Sequence, residues 1–215
     1  MLNSYFNLTG ISEWCAFLAS LLFLDKKAGL WRFFKVFLFI TILAETLGWY
    51  SHYFLNKGNN YIFNILLLIT VSFFIWMFVN ETLMQIIRRR LFITLIFFIF
   101  FALVNLLFIE GFQSYNGYSE VIGDIILTSV SCNFLFLILR DDEYINIFRY
   151  EYFWLASGLL FYCLGSIVLY LFLDSLRTFT KETGIPVYLY LNGGLNIIFY
   201  SCLIIAFICK YRATK

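Results

Sequence analysis

The sequence predicts an all-α integral membrane protein: a seven-transmembrane-helix bundle forming one domain over residues 1–215, with its N-terminus outside and its C-terminus cytoplasmic. Three observations carry that prediction. Seven apolar stretches fill the chain and leave only short connections. Each is close to the ~20 residues that cross a hydrocarbon core of roughly 30 Å at ~1.5 Å rise per residue. The composition, 62% hydrophobic and 22% aromatic, holds more apolar surface than a soluble fold could hide. Barrel strands alternate polar and apolar residues, which these runs do not, and a single proline favours unbroken helices.

In order, the spans are placed at about 6–24, 34–55, 61–79, 91–109, 121–140, 152–173 and 187–209. Glu13 interrupts the first. Lys26, Lys27, Arg32, Lys35, Arg88, Arg89, Arg90, Arg140, Arg149, Lys210, Arg212 and Lys215 fall in the first, third and fifth connections and the C-terminal tail. The other side has only Lys57, Arg177 and Lys181. Basic residues concentrate on the cytoplasmic side of membrane proteins, so this asymmetry sets the orientation. Nothing basic precedes the first span, so no cleaved signal peptide is expected. The 174–186 connection is the longest and has room for a short helix or lid; 110–120 reads as a turn-rich surface loop. Arg88, Arg89 and Arg90 and the run Asp141, Asp142, Glu143 read as solvated or headgroup-facing, with docking of a cytoplasmic partner as the sharper alternative.

Ionisable side chains at mid-membrane cost roughly 2.5–3.5 kcal/mol each on insertion scales, so each needs a reason. Glu45 lies near the middle of the second span, with Trp49 four and His52, the only histidine, seven residues later. That spacing puts all three on one helix face, climbing toward the outside. Glu13, Asn64, Asn105, Asp124, Asn192 and Asn196 fall at similar depth in other spans. The set predicts either an outward-opening polar cavity or a hydrogen-bonded network sealing the outer half. The ligand-binding candidates are Glu45, Trp49, His52, Asp124, Asn192 and Asn196. Against them stands the bland account: asparagines as interhelical glue worth ~0.6 kcal/mol each, His52 as an interfacial residue, Asp124 and Glu13 reaching the headgroups. Gly158, Gly165 and Ser166, with Gly193 and Gly194, read as close-packing positions.

The sequence argues against several classes. The net charge of +2 offers no nucleic-acid partner. The last span has no lysine for a retinal Schiff base before Lys210. One histidine is too few for a membrane zinc hydrolase, and the five cysteines lack metal or disulfide spacing, so no metal or other cofactor is expected. Proline-hinged sugar transporters need prolines inside their helices, whereas Pro186 lies outside the membrane. No catalytic triad or nucleotide-binding loop is present.

Glu45, the segment Glu151-Tyr152-Phe153-Trp154 with Gly158, Tyr162 and Gly165, and the pair Asn192 and Asn196 carry a resemblance over the whole length. The chain resembles small uncharacterised seven-helix proteins of Bacteroidota, some encoded beside sensor histidine kinases. That resemblance implies sensing or signalling, with no catalytic residues. The expected function is a small-molecule sensor in a bacterial inner membrane, partnered by lipid, an unknown ligand and a cytoplasmic signalling protein or membrane complex. A small transporter, proton-coupled through Glu45, is the alternative. A lipid-acting enzyme using Glu45 or Asp124, or a structural subunit, comes third, with a non-enzyme favoured.

Overall fold

The computed structural model describes residues 8–55, 58–140 and 146–215, and among these it is helical with no strand. The order is α1 (Leu8–Phe23), a 3-10 segment (Lys26–Arg32), α2 (Phe33–Phe54), α3 (Asn60–Val79), a second 3-10 segment (Thr82–Ile87) and α4 (Arg88–Val104). A π-helical turn (Asn105–Ile109) extends α4, and α5 (Gly117–Arg140), a short 3-10 turn (Ile147–Arg149), α6 (Glu151–Leu171), α7 (Leu173–Thr183) and α8 (Val187–Thr214) follow.

Five segments are long and apolar enough to cross a membrane: Asn60–Val79, Thr82–Ile109, Gly117–Arg140, Glu151–Leu171 and Val187–Thr214. The chain thus has the character of a multi-pass membrane protein. Among the described residues, helix α1 is apolar and 16 residues long. Helix α2 has 22 residues, interrupted by Lys35 and Glu45. The segment from Thr82 onward begins well before the expected residue 91, because the 3-10 turn runs directly into α4, although Arg88, Arg89 and Arg90 separate Leu83, Ile86 and Ile87 from the apolar run. The 174–186 connection contains α7, whose apolar Leu173, Leu176 and Phe179 share one face. Gly184 ends α7 in the left-handed region (φ 72°), its N–H donating to Thr180 O at 2.9 Å, a conformation that glycine adopts without a Cβ clash. The 110–120 loop is shorter than expected, since α5 starts at Gly117. Lys57 and the Asp141, Asp142, Glu143 run lie outside the described residues.

Helix α8 packs most extensively against α6 and then α1; α5 packs on α6; and α4 sits at the edge against α3 and α5. At the α6–α8 crossing, a Cβ on Gly158 would lie 2.8 Å from Cys202 Cβ, so glycine sets the approach. The burial pattern inverts that of a soluble protein. Glu13, Asn64, Asn105, Asp124, Ser131 and Asn196 are buried, while Leu22, Ile96, Phe108, Phe136 and Leu139 face outward. Lipid accepts such a perimeter, and polar groups retreat to the interior where they find partners.

The two ends of the bundle differ. At the end bearing Arg32, Arg88 and Arg149, aromatic rings fill the interior. Phe37 stacks on Phe73 (4.4 Å, 2° between planes), Trp31 on Phe34 (5.1 Å), and Trp31 meets Tyr152 edge-on (5.0 Å). Phe74, Phe78, Phe134 and Phe207 complete a dry plug. Around it, Lys210 pairs with Glu151 at 2.8 Å, and the Tyr150 hydroxyl donates to Glu81. The opposite end is polar and holds two adjoining cavities, while a third, of about 450 Å³, lies at the basic end between Thr82, Leu83, Ile86, Leu137 and Arg140.

Candidate functional site: two adjoining acidic cavities

Two cavities, of about 180 and 210 Å³, lie side by side within the polar end and share Glu13, Glu45 and Phe63 in their walls. Helical spacing supplies the lining. On α2, Phe37, Thr41 and Glu45 recur every four residues and face the larger cavity. Ile42, Glu45, Trp49 and His52 continue the stripe along the smaller one. On α8, Asn192, Asn196, Phe199 and Tyr200 repeat at helical spacing and present one face. On α5, Glu120, Asp124 and Leu127 do the same.

Each sequence candidate can therefore be placed. Glu45, Trp49 and His52 line the smaller cavity, with Glu45 half-buried and His52 exposed. Glu45, Asp124, Asn192 and Asn196 line the larger one. The structure brings the six around two adjoining cavities, with Glu45 in the wall of both.

Glu13 is 4% exposed and Asp124 6%, so neither reaches out to the headgroups; both turn inward. Glu13 Oε1 accepts from the Tyr200 hydroxyl at 3.3 Å, joining α1 to α8. Asp124 lies close to Ser166 and Cys163 on α6. Asn196 Nδ2 donates to Asn192 O at 2.9 Å and reaches Asn192 Oδ1 at 3.4 Å, so the two amides form one polar ledge on α8.

Asn64 and Asn105 have a different task. Asn64 Nδ2 donates to Ser114 O at 2.8 Å, while its Oδ1 accepts from Asn116 N at 3.0 Å. Asn105 Nδ2 donates to Glu110 Oε2 at 2.6 Å and to Ser119 Oγ at 3.0 Å, and also meets Asn116 Oδ1. The π turn at Asn105 aims this amide into the loop, with Glu110 N closing on Asn105 O at 3.0 Å. These bonds pin the 110–116 loop against the bundle. Tyr115, carried by that loop, lines the larger cavity and pairs with Glu120. Loss of solvation, with the adjacent Glu120 charge adding to it, pushes the Tyr115 hydroxyl upward, so it stays a donor.

The sequence reading placed Glu120 in a surface loop and passed over Tyr115 and Tyr200. Glu120 had a signal, four residues before Asp124 at the start of a span. The tyrosines had none, being two of 15 in the chain.

Four carboxylates thus line the two cavities, and among the described residues no lysine or arginine does. Among the described residues, no three His, Cys, Asp or Glu side chains converge as a metal centre. What the arrangement offers is a polar chamber with hydrogen-bond acceptors, tyrosine hydroxyls and aromatic faces. Comparison with protein-family models, curated proteins and solved structures finds no match to this chain.

Proposed function

We propose that the chain is a seven-span sensor of a bacterial inner membrane, with α1–α6 and α8 as the spans, its N-terminus outside and its C-terminus cytoplasmic. A small molecule enters the acidic cavities from outside, and the resulting shift reaches a cytoplasmic partner. The observation that carries this reading is the division of the bundle. A polar chamber lies at one end, and the aromatic plug closes the end where the basic residues gather. The basic asymmetry favours that plugged end as the cytoplasmic one.

Helix α8 supports the signalling step. It forms the chamber wall through Asn192, Asn196 and Tyr200, passes the plug at Phe207, and ends on the Lys210–Glu151 pair. A ligand that shifts α8 against α6 therefore alters the basic face, where Arg88, Arg89, Arg90 and the tail are available to a partner. The resemblance to proteins encoded beside histidine kinases points the same way.

The test is thiol accessibility in a cysteine-free background, with single cysteines at positions 45, 52, 124 and 192 and an impermeant reagent applied from outside. Labelling at 45 is the expected result. Protection at 45 with labelling at 52 would make Glu45 a buried packing contact and overturn the reading. The Glu13–Glu45 pair, shared by both cavities, also suits a proton-coupled transporter. That reading requires the plug to open, and pH-driven flux into proteoliposomes separates it from a sensor.

A further inference from the structure

The carboxylates of the larger cavity do not form one cluster. Glu13 and Glu45 are electrostatic neighbours of each other, and Tyr200 lies in the field of both. Glu120 and Asp124 are likewise neighbours, and Tyr162 lies in the field of both. Between the two pairs runs an aromatic wall: Phe199 meets Tyr162 at 5.3 Å and Tyr200 at 5.2 Å between ring centroids. Phe74 packs against the same ring at 5.8 Å. The chamber therefore has two acidic ends joined by an apolar, π-rich middle.

Among the described residues, none of basic type lines the cavities to balance these acidic groups. Glu13 is 4% exposed, yet Tyr200 is its only hydrogen-bond donor among the described residues, and that bond engages one oxygen. Glu13 lines both cavities, and its other carboxylate oxygen has no donor among those residues. Glu45 has no side-chain hydrogen bond to a described residue and lines both spaces. A desolvated carboxylate is stabilised by a cation that reaches it, and an aromatic face attracts the same cation. Among the described residues no three ligands converge, which favours charges spaced along a molecule over a metal ion.

We propose that the ligand is an elongated organic cation with an ammonium group at each end, of the α,ω-diamine class. The Glu13–Glu45 pair takes one ammonium, the Glu120–Asp124 pair takes the other, and the methylene chain lies along Phe199. This rests on the cavity being the ligand site of the proposed sensor.

Calorimetric titration of the full chain in nanodiscs with 1,4-diaminobutane, n-butylamine and sodium chloride tests it. The diamine is expected to bind at least roughly tenfold more tightly than the monoamine, since each ammonium gains its own charge-assisted bonds. Asp124→Asn and Glu13→Gln, each checked for folding by thermal unfolding, should bring diamine affinity down toward the monoamine's. Equal affinity for the two amines overturns the dication. No saturable amine binding, with thiol labelling at position 45 intact, overturns this inference and leaves the sensor reading standing. Loss of labelling at 45 removes both.

Discussion

Lys210 Nζ meets Glu151 Oε1 at 2.8 Å, joining the last turns of α8 to the first turn of α6 beneath the aromatic plug. Each charge also suits its own helix end, a carboxylate at an N-terminus and an ammonium near a C-terminus. The pair links the two helices that pack most extensively against each other in the bundle.

Removing one partner should be worse than removing both. Lys210→Met leaves Glu151, 7% exposed, without its counter-charge. The expected loss is about 1–3 kcal/mol, between the limits for surface and fully buried pairs. The double variant Glu151→Gln with Lys210→Met should regain part of it. Thermal unfolding in detergent reads the difference; equal losses in the single and double variants would show that the pair contributes nothing.

Glu81, in the connection after α3, gives the protein a pH-dependent stability. Burial pushes its carboxyl above the ordinary 4.5, and the neighbouring Glu151 charge adds to this. Bonds from Tyr150 and Thr82 and the Lys210 charge oppose it without cancelling it. Burial likewise pushes the Tyr150 hydroxyl upward and keeps it a donor to Glu81. A raised folded-state value stabilises the protonated form. The contribution is complete below the unfolded value and fades as pH rises through the folded one. Glu81→Gln should therefore flatten the fall in unfolding temperature above about pH 4.5. Parallel pH profiles for wild type and variant would contradict this.

Two glycines on α6 should respond differently to alanine. A Cβ at Gly158 meets Cys202 Cβ at 2.8 Å and Phe199 O at 3.5 Å, atoms that cannot swing aside. Gly158→Ala should cost about 1–3 kcal/mol as α6 and α8 are forced apart. A Cβ at Gly165 meets only the end of the Leu195 side chain, which can change rotamer. Gly165→Ala should stay within about 1 kcal/mol of wild type. Equal costs at both sites would refute the backbone-approach account of Gly158.

Asn64→Ala should loosen the 110–116 loop without unfolding the bundle. It removes the bonds to Ser114 O and Asn116 N and leaves those groups to find other partners, at about 1–3 kcal/mol. Amide hydrogen exchange in the loop should rise several-fold while α8 stays protected. Unchanged exchange at residues 112–116 would show that Asn105 alone holds the loop.

Hydropathy adds up along the chain, so the membrane class, the approximate helices and the concentration of basic residues were legible locally. So was the Glu45, Trp49, His52 stripe, because helical spacing alone puts those residues on one face. The inward turn of Glu13 was not legible, since its partner Tyr200 is 187 positions away. Nor was the use of Asn64, which holds a loop about 50 residues downstream. Glu120 looked like loop because its helix begins at Gly117, earlier than the apolar run.

The sequence by itself determined that these helices belong in lipid and where polar groups interrupt them. Only the tertiary structure decided which faces turn inward. The physical reason is that lipid and a packed interior are both apolar, so a helix that is hydrophobic all round has no preferred face until it meets its neighbours. Packing of α1 against α2 and α8, and of α6 against α5 and α8, then gathered four scattered carboxylates around the larger cavity.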